Sequence, residues 1–306
     1  MSKIIRIGTR ESQLAVWQAN SVKKLLQEHG IPSELIYIKS EGDTDLTTPL
    51  YEIGVQGIFT RALDVALLKG DIDVAVHSMK DVPTQLPAGI AQAAVLPRAS
   101  YKDLLVPKVD GAFLGDASAP NVIATSSIRR KAQWLNRYPN ATIENLRGNV
   151  NTRLRKVQEN EWQGAIFAAA GLERIGVRPE NAVELDWMLP APAQGAVVVV
   201  ARADDAFVLE QCAYLNDKHT AWAVTIERDF LRGLMGGCAT PISAFAQIVN
   251  DEIVFQGSIL SVDGKDKVEI NKTVPVTERE NLGQLAAIEV LANGGEAILN
   301  KIRNGK

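Results

Sequence analysis

The chain predicts an α/β protein: two lobes around a cleft, followed by a smaller α+β C-terminal domain. Three observations carry that reading. Strand-length apolar segments alternate with helical apolar faces in the first third, and the same alternation restarts after a polar loop at residues 111–121. From about Ser243 the texture changes to short strands closed by one helix. In order, strands are expected at residues 4–8, 34–39 and 73–77. Between them lie helices at 12–28, with an apolar face of Leu14, Ala15, Trp17, Val22, Leu25 and Leu26, and at 57–69. Strands joined through helices favour a parallel sheet with crossover connections. The second series places strands at 122–125, 142–146 and 164–168, with helices at 127–137 and 150–159. Residues 196–201, Ala-Val-Val-Val-Val-Ala, read as a strand buried on both faces. The segment before them, 189–195, reads as the crossover between lobes. The last domain holds strands at 245–249, 253–258 and 267–274 and a helix at 281–300. The expected division is 1–97 with 196–216 as the first lobe, 98–195 as the second, and 217–306 as the C-terminal domain.

Composition narrows the function. The 306 residues are 46% apolar and 23% charged, ordinary for a globular protein with a large core. No run approaches the ~20 apolar residues of a membrane span, and the N-terminus enters a strand without a signal-peptide pattern. Two cysteines make no disulfide framework, so a reducing cytoplasm is expected. A net charge of −3 argues against nucleic acid as a partner. Three histidines without ligand spacing leave no metal site expected.

Any basic site must therefore be local, and one segment supplies it. Residues 125–156 hold eight basic side chains and one acid, Glu144. Thr125, Ser126 and Ser127 stand where a strand hands over to a helix, with Arg129 and Arg130 directly behind. Arg147, Gly148 and Arg153 repeat the arrangement at the next junction. Helix starts offer N–H groups to anions, and a guanidinium fork matches a carboxylate. Phosphate satisfies the same charge, but no P-loop or dinucleotide fingerprint is present. Lys80 and Asp81 follow the strand at 73–77, and Pro83 fixes the backbone after them. A carboxylate held there could stabilise a developing cation or move protons. Cys238 sits in Gly236-Gly237-Cys238-Ala239-Thr240-Pro241, a small-residue turn that leaves space around the sulfur. Cys212 reads as a core residue on a helix.

Together these segments resemble a known family. The stretches 8–15 (Gly-Thr-Arg-Glu-Ser-Gln-Leu-Ala), 77–83 (His-Ser-Met-Lys-Asp-Val-Pro), 124–130 (Ala-Thr-Ser-Ser-Ile-Arg-Arg), 146–150 (Leu-Arg-Gly-Asn-Val), 193–196 (Ala-Gln-Gly-Ala) and 236–238 (Gly-Gly-Cys) occur in the order seen in porphobilinogen deaminases, also called hydroxymethylbilane synthases. The likeness runs over essentially the whole chain. It implies a cytoplasmic, monomeric transferase of tetrapyrrole biosynthesis whose two lobes resemble periplasmic binding proteins. Such enzymes join four porphobilinogen molecules head to tail with release of ammonia, then hydrolyse off hydroxymethylbilane. By the same resemblance Cys238 carries a dipyrromethane cofactor through a thioether, and Asp81 is the catalytic carboxylate. Lys80, Asp81, Thr125, Ser126, Ser127, Arg129, Arg130, Arg147 and Gly148 are expected around that cofactor. Arg10, Ser12, Phe59, Arg153, Arg174 and Gln194 are expected to bind substrate, with Gln194 lining the cleft. Phe59 fits equally as a pyrrole contact or a core aromatic.

The chain departs from the family before the helix at 57–69. Family members often have lysines there, in patterns such as Lys-x-Gly-Gly-Lys-Gly, where this chain reads Glu52-Ile53-Gly54-Val55-Gln56-Gly57. Glu41 likewise replaces a commonly basic or neutral residue. Two other readings compete. A non-catalytic two-lobed receptor for small carboxylates accounts for the arginines but leaves Gly236-Gly237-Cys238 unexplained. A transferase using Cys238 as a transient nucleophile differs in leaving the thiol free between turnovers.

Overall fold

A computed structural model describes residues 3–39, 60–236 and 240–305. In chain order its elements begin with β1 (Ile5–Thr9), α1 (Gln13–Glu28), β2 (Ser33–Tyr37), α2 (Arg61–Lys69), β3 (Val74–Ser78) and β4 (Ile90–Val95). Next come β5 (Asp103–Pro107), β6 (Val122–Ala124), α3 (Ile128–Arg137), β7 (Thr142–Glu144), α4 (Val150–Glu159), β8 (Gly164–Ala168), α5 (Ala169–Arg174) and β9 (Val183–Glu184). The chain ends with β10 (Val197–Arg202), α6 (Ala206–Ala213), α7 (Lys218–Gly233), β11 (Ile242–Val249), β12 (Glu252–Leu260), β13 (Lys267–Pro275), α8 (Leu282–Val290) and α9 (Glu296–Asn304).

The described residues form two compact units. One holds the residues up to Ser100 together with Gly195–Trp222; the other holds Tyr101–Gln194 and the residues from Ala223 onward. The first unit is built on a five-stranded sheet of order β2-β1-β3-β10-β4. Ile5, Ile7, Val74 and Val76 face α1 and α6 on one side, packing on Ala19, Val22, Leu26, Val208 and the buried thiol of Cys212. Gly8 is required where α2 approaches the opposite face, because a Cβ there would lie 2.3 Å from Ile72 Cδ1 and 3.0 Å from Leu63 Cδ2. Along β10, Val197, Val198, Val199, Val200 and Ala201 are all buried, as the continuous apolar run predicts.

In the second unit a five-stranded sheet of order β7-β6-β8-β5-β9 carries α3, α4 and α5. A separate antiparallel sheet, β11-β12-β13, packs on α7, α8 and α9 around Phe230 and Phe255, whose rings meet edge to face at 5.3 Å. This is the small α+β domain read from the C-terminal texture.

The expectation of parallel sheets holds for three strands of each. β1 pairs with β2 and β3 in parallel, as β6 does with β7 and β8. The fourth strand is reversed in both: β10 is antiparallel to β3 and β4, and β5 to β8 and β9. Each reversed strand is the first strand after the chain changes unit, so no crossover helix within its own sheet dictates its direction. The helix expected over 281–300 is also corrected. Backbone φ of +107° at Gly294 breaks it into α8 and α9, and a Cβ on Gly295 would lie 2.6 Å from the Val290 carbonyl oxygen.

Candidate active site

Most of the side chains expected to serve the site fall just past strand ends in the two units. In the first, β3 runs out at Ser78 into a 3-10 turn over Met79–Asp81. Three contacts fix that turn: Met79 is buried, its N–H donates to Ala196 O at 3.0 Å, and Gln18 Nε2 donates to Ser78 Oγ at 2.8 Å. Val82 N–H closes the turn on Met79 O at 3.2 Å. Asp81 is exposed at its end and Lys80 half-buried. Arg10 is half-buried just past β1, and Ser12 caps α1 by accepting from Ala15 N–H at 3.4 Å. His77, on β3 four residues before Asp81, is buried. Burial and the charge of Arg10 hold its imidazole down at about 3, so it is neutral at ordinary pH.

The second unit gathers the arginines. Ser127 caps α3 by accepting from Arg130 N–H at 3.4 Å, and Thr125 Oγ1 accepts from Ser127 N–H at 3.2 Å. Ser126 Oγ donates to Leu146 O, joining this junction to the next. There Arg147 is buried, and Gly148 takes φ of +112°, with Thr152 only 2.7 Å from where a Cβ would stand. Asn149 caps α4 through Thr152 N–H at 2.9 Å, while Arg153 Nε donates to Gly148 O at 2.7 Å. Arg174, at the end of α5, is held down to about 10 by burial, against the opposing charge of Glu173.

Arg129 and Arg130 are only 5% and 6% exposed, and the residue that admits them to the interior is Asp103. Its carboxylate meets Arg129 Nη2 at 2.7 Å and Arg130 Nη2 at 2.7 Å. Burial alone would push this carboxyl up; the two guanidinium charges and their hydrogen bonds outweigh it and hold it at about 2. Two cations against one anion leave one positive charge in the cluster. Arg129 Nε is buried with no hydrogen-bond partner among the described residues. Buried cations without full compensation are costly unless an anion completes them.

A family model described as "Porphobilinogen deaminase, dipyromethane cofactor binding domain" matches residues 5–210. A second, "Porphobilinogen deaminase, C-terminal domain", matches residues 221–292. The chain belongs to the porphobilinogen deaminase family. A porphobilinogen deaminase of Desulfitobacterium hafniense is 42% identical over 303 residues, covering 98% of this chain and 97% of that one. Those of Maridesulfovibrio salexigens and Geobacter sulfurreducens are each 41% identical, over 97% of this chain and 98% and 94% of theirs. Among solved structures, a methionine-bound nutrient-binding protein from Burkholderia cenocepacia is 16% identical, with a TM-score of 0.42, over 69% of this chain and 91% of that one.

The residues of a family member's cofactor-binding region can be tested against the group they would hold. A dipyrromethane carries acetate and propionate side chains. The unmatched positive charge beside Asp103 and the orphaned Nε of Arg129 suit such carboxylates. Other expected ligands are engaged differently. Arg130 donates Nε and Nη2 to Asp103 and Nη1 to Ile166 O, so its fork already has protein partners. Gln194, expected to line a cleft, is buried, and its amide donates to Tyr101 O at 2.8 Å and Asp103 Oδ1 at 2.9 Å. Phe59 and Cys238 lie outside the described residues, as do Glu41, Glu52 and Gln56. Asp103 was missed by sequence reasoning. Its one signal was an acid placed directly before the apolar run Leu104-Leu105-Val106.

Proposed function

We propose that this chain is a hydroxymethylbilane synthase: a transferase that condenses four porphobilinogen molecules head to tail, releases ammonia at each addition, and hydrolyses off the linear tetrapyrrole. The observation that supports it most is the buried guanidinium excess around Asp103, found in a chain with full-length likeness to porphobilinogen deaminases. Arg129 and Arg147 take carboxylates of the pyrrole rings, with Arg10, Arg153 and Arg174 serving further rings as the chain lengthens. Fixed N–H donors exclude water from those carboxylates and orient them.

When bound through a thioether to Cys238, a dipyrromethane supplies the primer whose free α-carbon receives each new unit. Asp81 acts on the incoming porphobilinogen. As the protonated amino group of its aminomethyl arm leaves as ammonia, the C–N bond breaks, the electron pair of the pyrrole nitrogen moves into the ring system to hold the remaining methylene, and positive charge develops there. A carboxylate offered on a rigid turn lowers that barrier without reorganising. The anchoring of Met79 and Ser78 keeps the Asp81 turn in place while charge appears and vanishes. We assign Lys80 to the anionic side chains beside it. We also place the enzyme in the cytoplasm as a monomer; no helix among the described residues is long and apolar enough to cross a membrane.

Incubation of the purified protein with porphobilinogen tests this, with ammonia and hydroxymethylbilane followed together and intact mass taken beforehand. The expected mass is that of the polypeptide plus one dipyrromethane, lost in Cys238→Ser. Asp81→Asn is expected to reduce turnover by about a hundred- to a thousandfold while the adduct of already loaded protein persists. A protein of bare polypeptide mass that binds porphobilinogen without consuming it would falsify the proposal and favour a carboxylate receptor.

A further inference from the structure

Asp103 has no part in the reaction described above, yet it touches two of the arginines expected to serve it. Its Oδ2 accepts from Arg129 Nη2 at 2.7 Å. Its Oδ1 accepts from Arg130 Nη2 at 2.7 Å, Arg130 Nε at 3.1 Å and Gln194 Nε2 at 2.9 Å. Four donors bring this carboxylate near its capacity. The two arginines are then held unequally. Arg130 is tied at all three nitrogens, the third to Ile166 O at 2.9 Å. Arg129 is tied at its two terminal nitrogens, to Asp103 and to Leu189 O at 2.7 Å. Its Nε is buried and unpartnered among the described residues.

We propose that Asp103 is a positioning residue for the reaction: it neutralises Arg130 and fixes Arg129, leaving one buried positive charge to take a single carboxylate at Arg129 Nε. The proposal rests on the synthase reading above. Charge arithmetic makes it specific. The native cluster carries two cations and one anion, a net charge of +1. Asp103→Asn leaves +2, Arg130→Met leaves 0, and the double variant returns to +1 with Arg129 intact. The amide that replaces the carboxylate still accepts from Arg129.

The experiment takes wild type, both single variants and the double variant as isolated full-length protein. Intact mass gives the fraction of chains carrying the adduct, porphobilinogen turnover gives KM and kcat separately, and thermal melting checks folding. Each single variant is expected to shift KM by about tenfold or more, the factor that accompanies a disturbed charge-assisted hydrogen bond. Arg130→Met is also expected to lose most of its adduct. The double variant is expected to recover the adduct and to bring KM back to within about threefold of wild type, which an arginine acting independently of Asp103 would not do. Asp186→Asn, removing an exposed partner of Lys102, serves as a control and changes neither.

A double variant no better than Arg130→Met overturns the inference, as does Arg130→Met behaving like wild type. A double variant that does not fold overturns it too, because the pair then serves the core alone. Should Asp103→Asn fail to fold, the comparison of Arg130→Met with the double variant decides by itself. Wild type that consumes no porphobilinogen removes the synthase reading and this inference together. Active wild type with indifferent variants removes only the inference.

Discussion

Each unit buries an aspartate beside two arginines, and the two sites lie at opposite ends of their sheets. Asp73 precedes β3, at the amino ends of the parallel strands, where Arg6 grips it with Nε at 3.0 Å and Nη2 at 2.9 Å and Arg202 stands at 3.4 Å. Asp103 begins β5 opposite Ala168, the last residue of β8, and so lies at the carboxyl edge where α/β sheets bind ligands. The cations differ correspondingly. Arg6 and Arg202 keep 36% and 20% of their side-chain surface in water, and Arg202 also meets Asp205 at 2.8 Å, so charge around Asp73 is hydrated or paired a second time. Arg129 and Arg130 have no such outlet. The same pairing chemistry is a clamp where its cations reach solvent and, on the proposal above, an anion trap where they do not.

The strongest way to break this comparison is to delete each acid. Asp103→Ala strands two buried cations and is expected to lose about 3–5 kcal/mol of stability in denaturant titration. Asp73→Ala is expected to lose about 1–3 kcal/mol, because Arg6 can turn to water and Arg202 keeps Asp205. Equal losses, or the reverse order, would show that burial of the cations does not separate the sites.

Acid titration sharpens it next. Both carboxyls are held at about 2, against 3.8 for an unperturbed aspartate. Their contribution is full above about pH 4 and drains away as pH falls through 2. Melting temperature should therefore drop steeply between pH 4 and 2, with Asp103→Asn and Asp73→Asn each flattening part of the slope. His77 adds a separate, earlier window. Held at about 3 against 6.5 when unperturbed, it stays neutral in the folded chain while the unfolded chain takes up a proton. Stability from that source is present above pH 6.5 and declines towards pH 3, and His77→Gln should remove this shallower limb alone.

The smallest effect is expected where charge plays no part. Met235, in the turn that follows α7, has φ of +49° and is largely exposed. Met235→Gly relieves that left-handed backbone and should raise stability by about 0.5–1 kcal/mol. No change in chemical denaturation would mean that the sulfur contact from Arg303, at 3.7 Å, matters more than the backbone.

Much of this was legible in the residues. α4 and β8 lie where period and punctuation put them, because Asn149 and Gly164 mark their starts with caps and close packing. The acid turn and the second arginine junction are legible as strand ends, since Pro83 and Gly148 announce the breaks. Strand direction was not legible, because β5 and β10 enter sheets from a distant segment and no local pattern records that. The engagement of Arg130 and Gln194 was equally hidden. A guanidinium looks the same in sequence whether it awaits a ligand or an aspartate 27 positions away.

The placement of β10 has a consequence for how the chain is made. It fills the gap between β3 and β4, although more than ninety residues separate it from either in sequence. As the polypeptide leaves the ribosome, the first sheet must wait for Val197–Arg202 with two strand edges open, while β5 to β9 are already available to pair. Synthesis order and completion order are therefore opposed. The later-born sheet can close first, and a chain stalled before residue 197 exposes ladder edges that chaperones would have to shield.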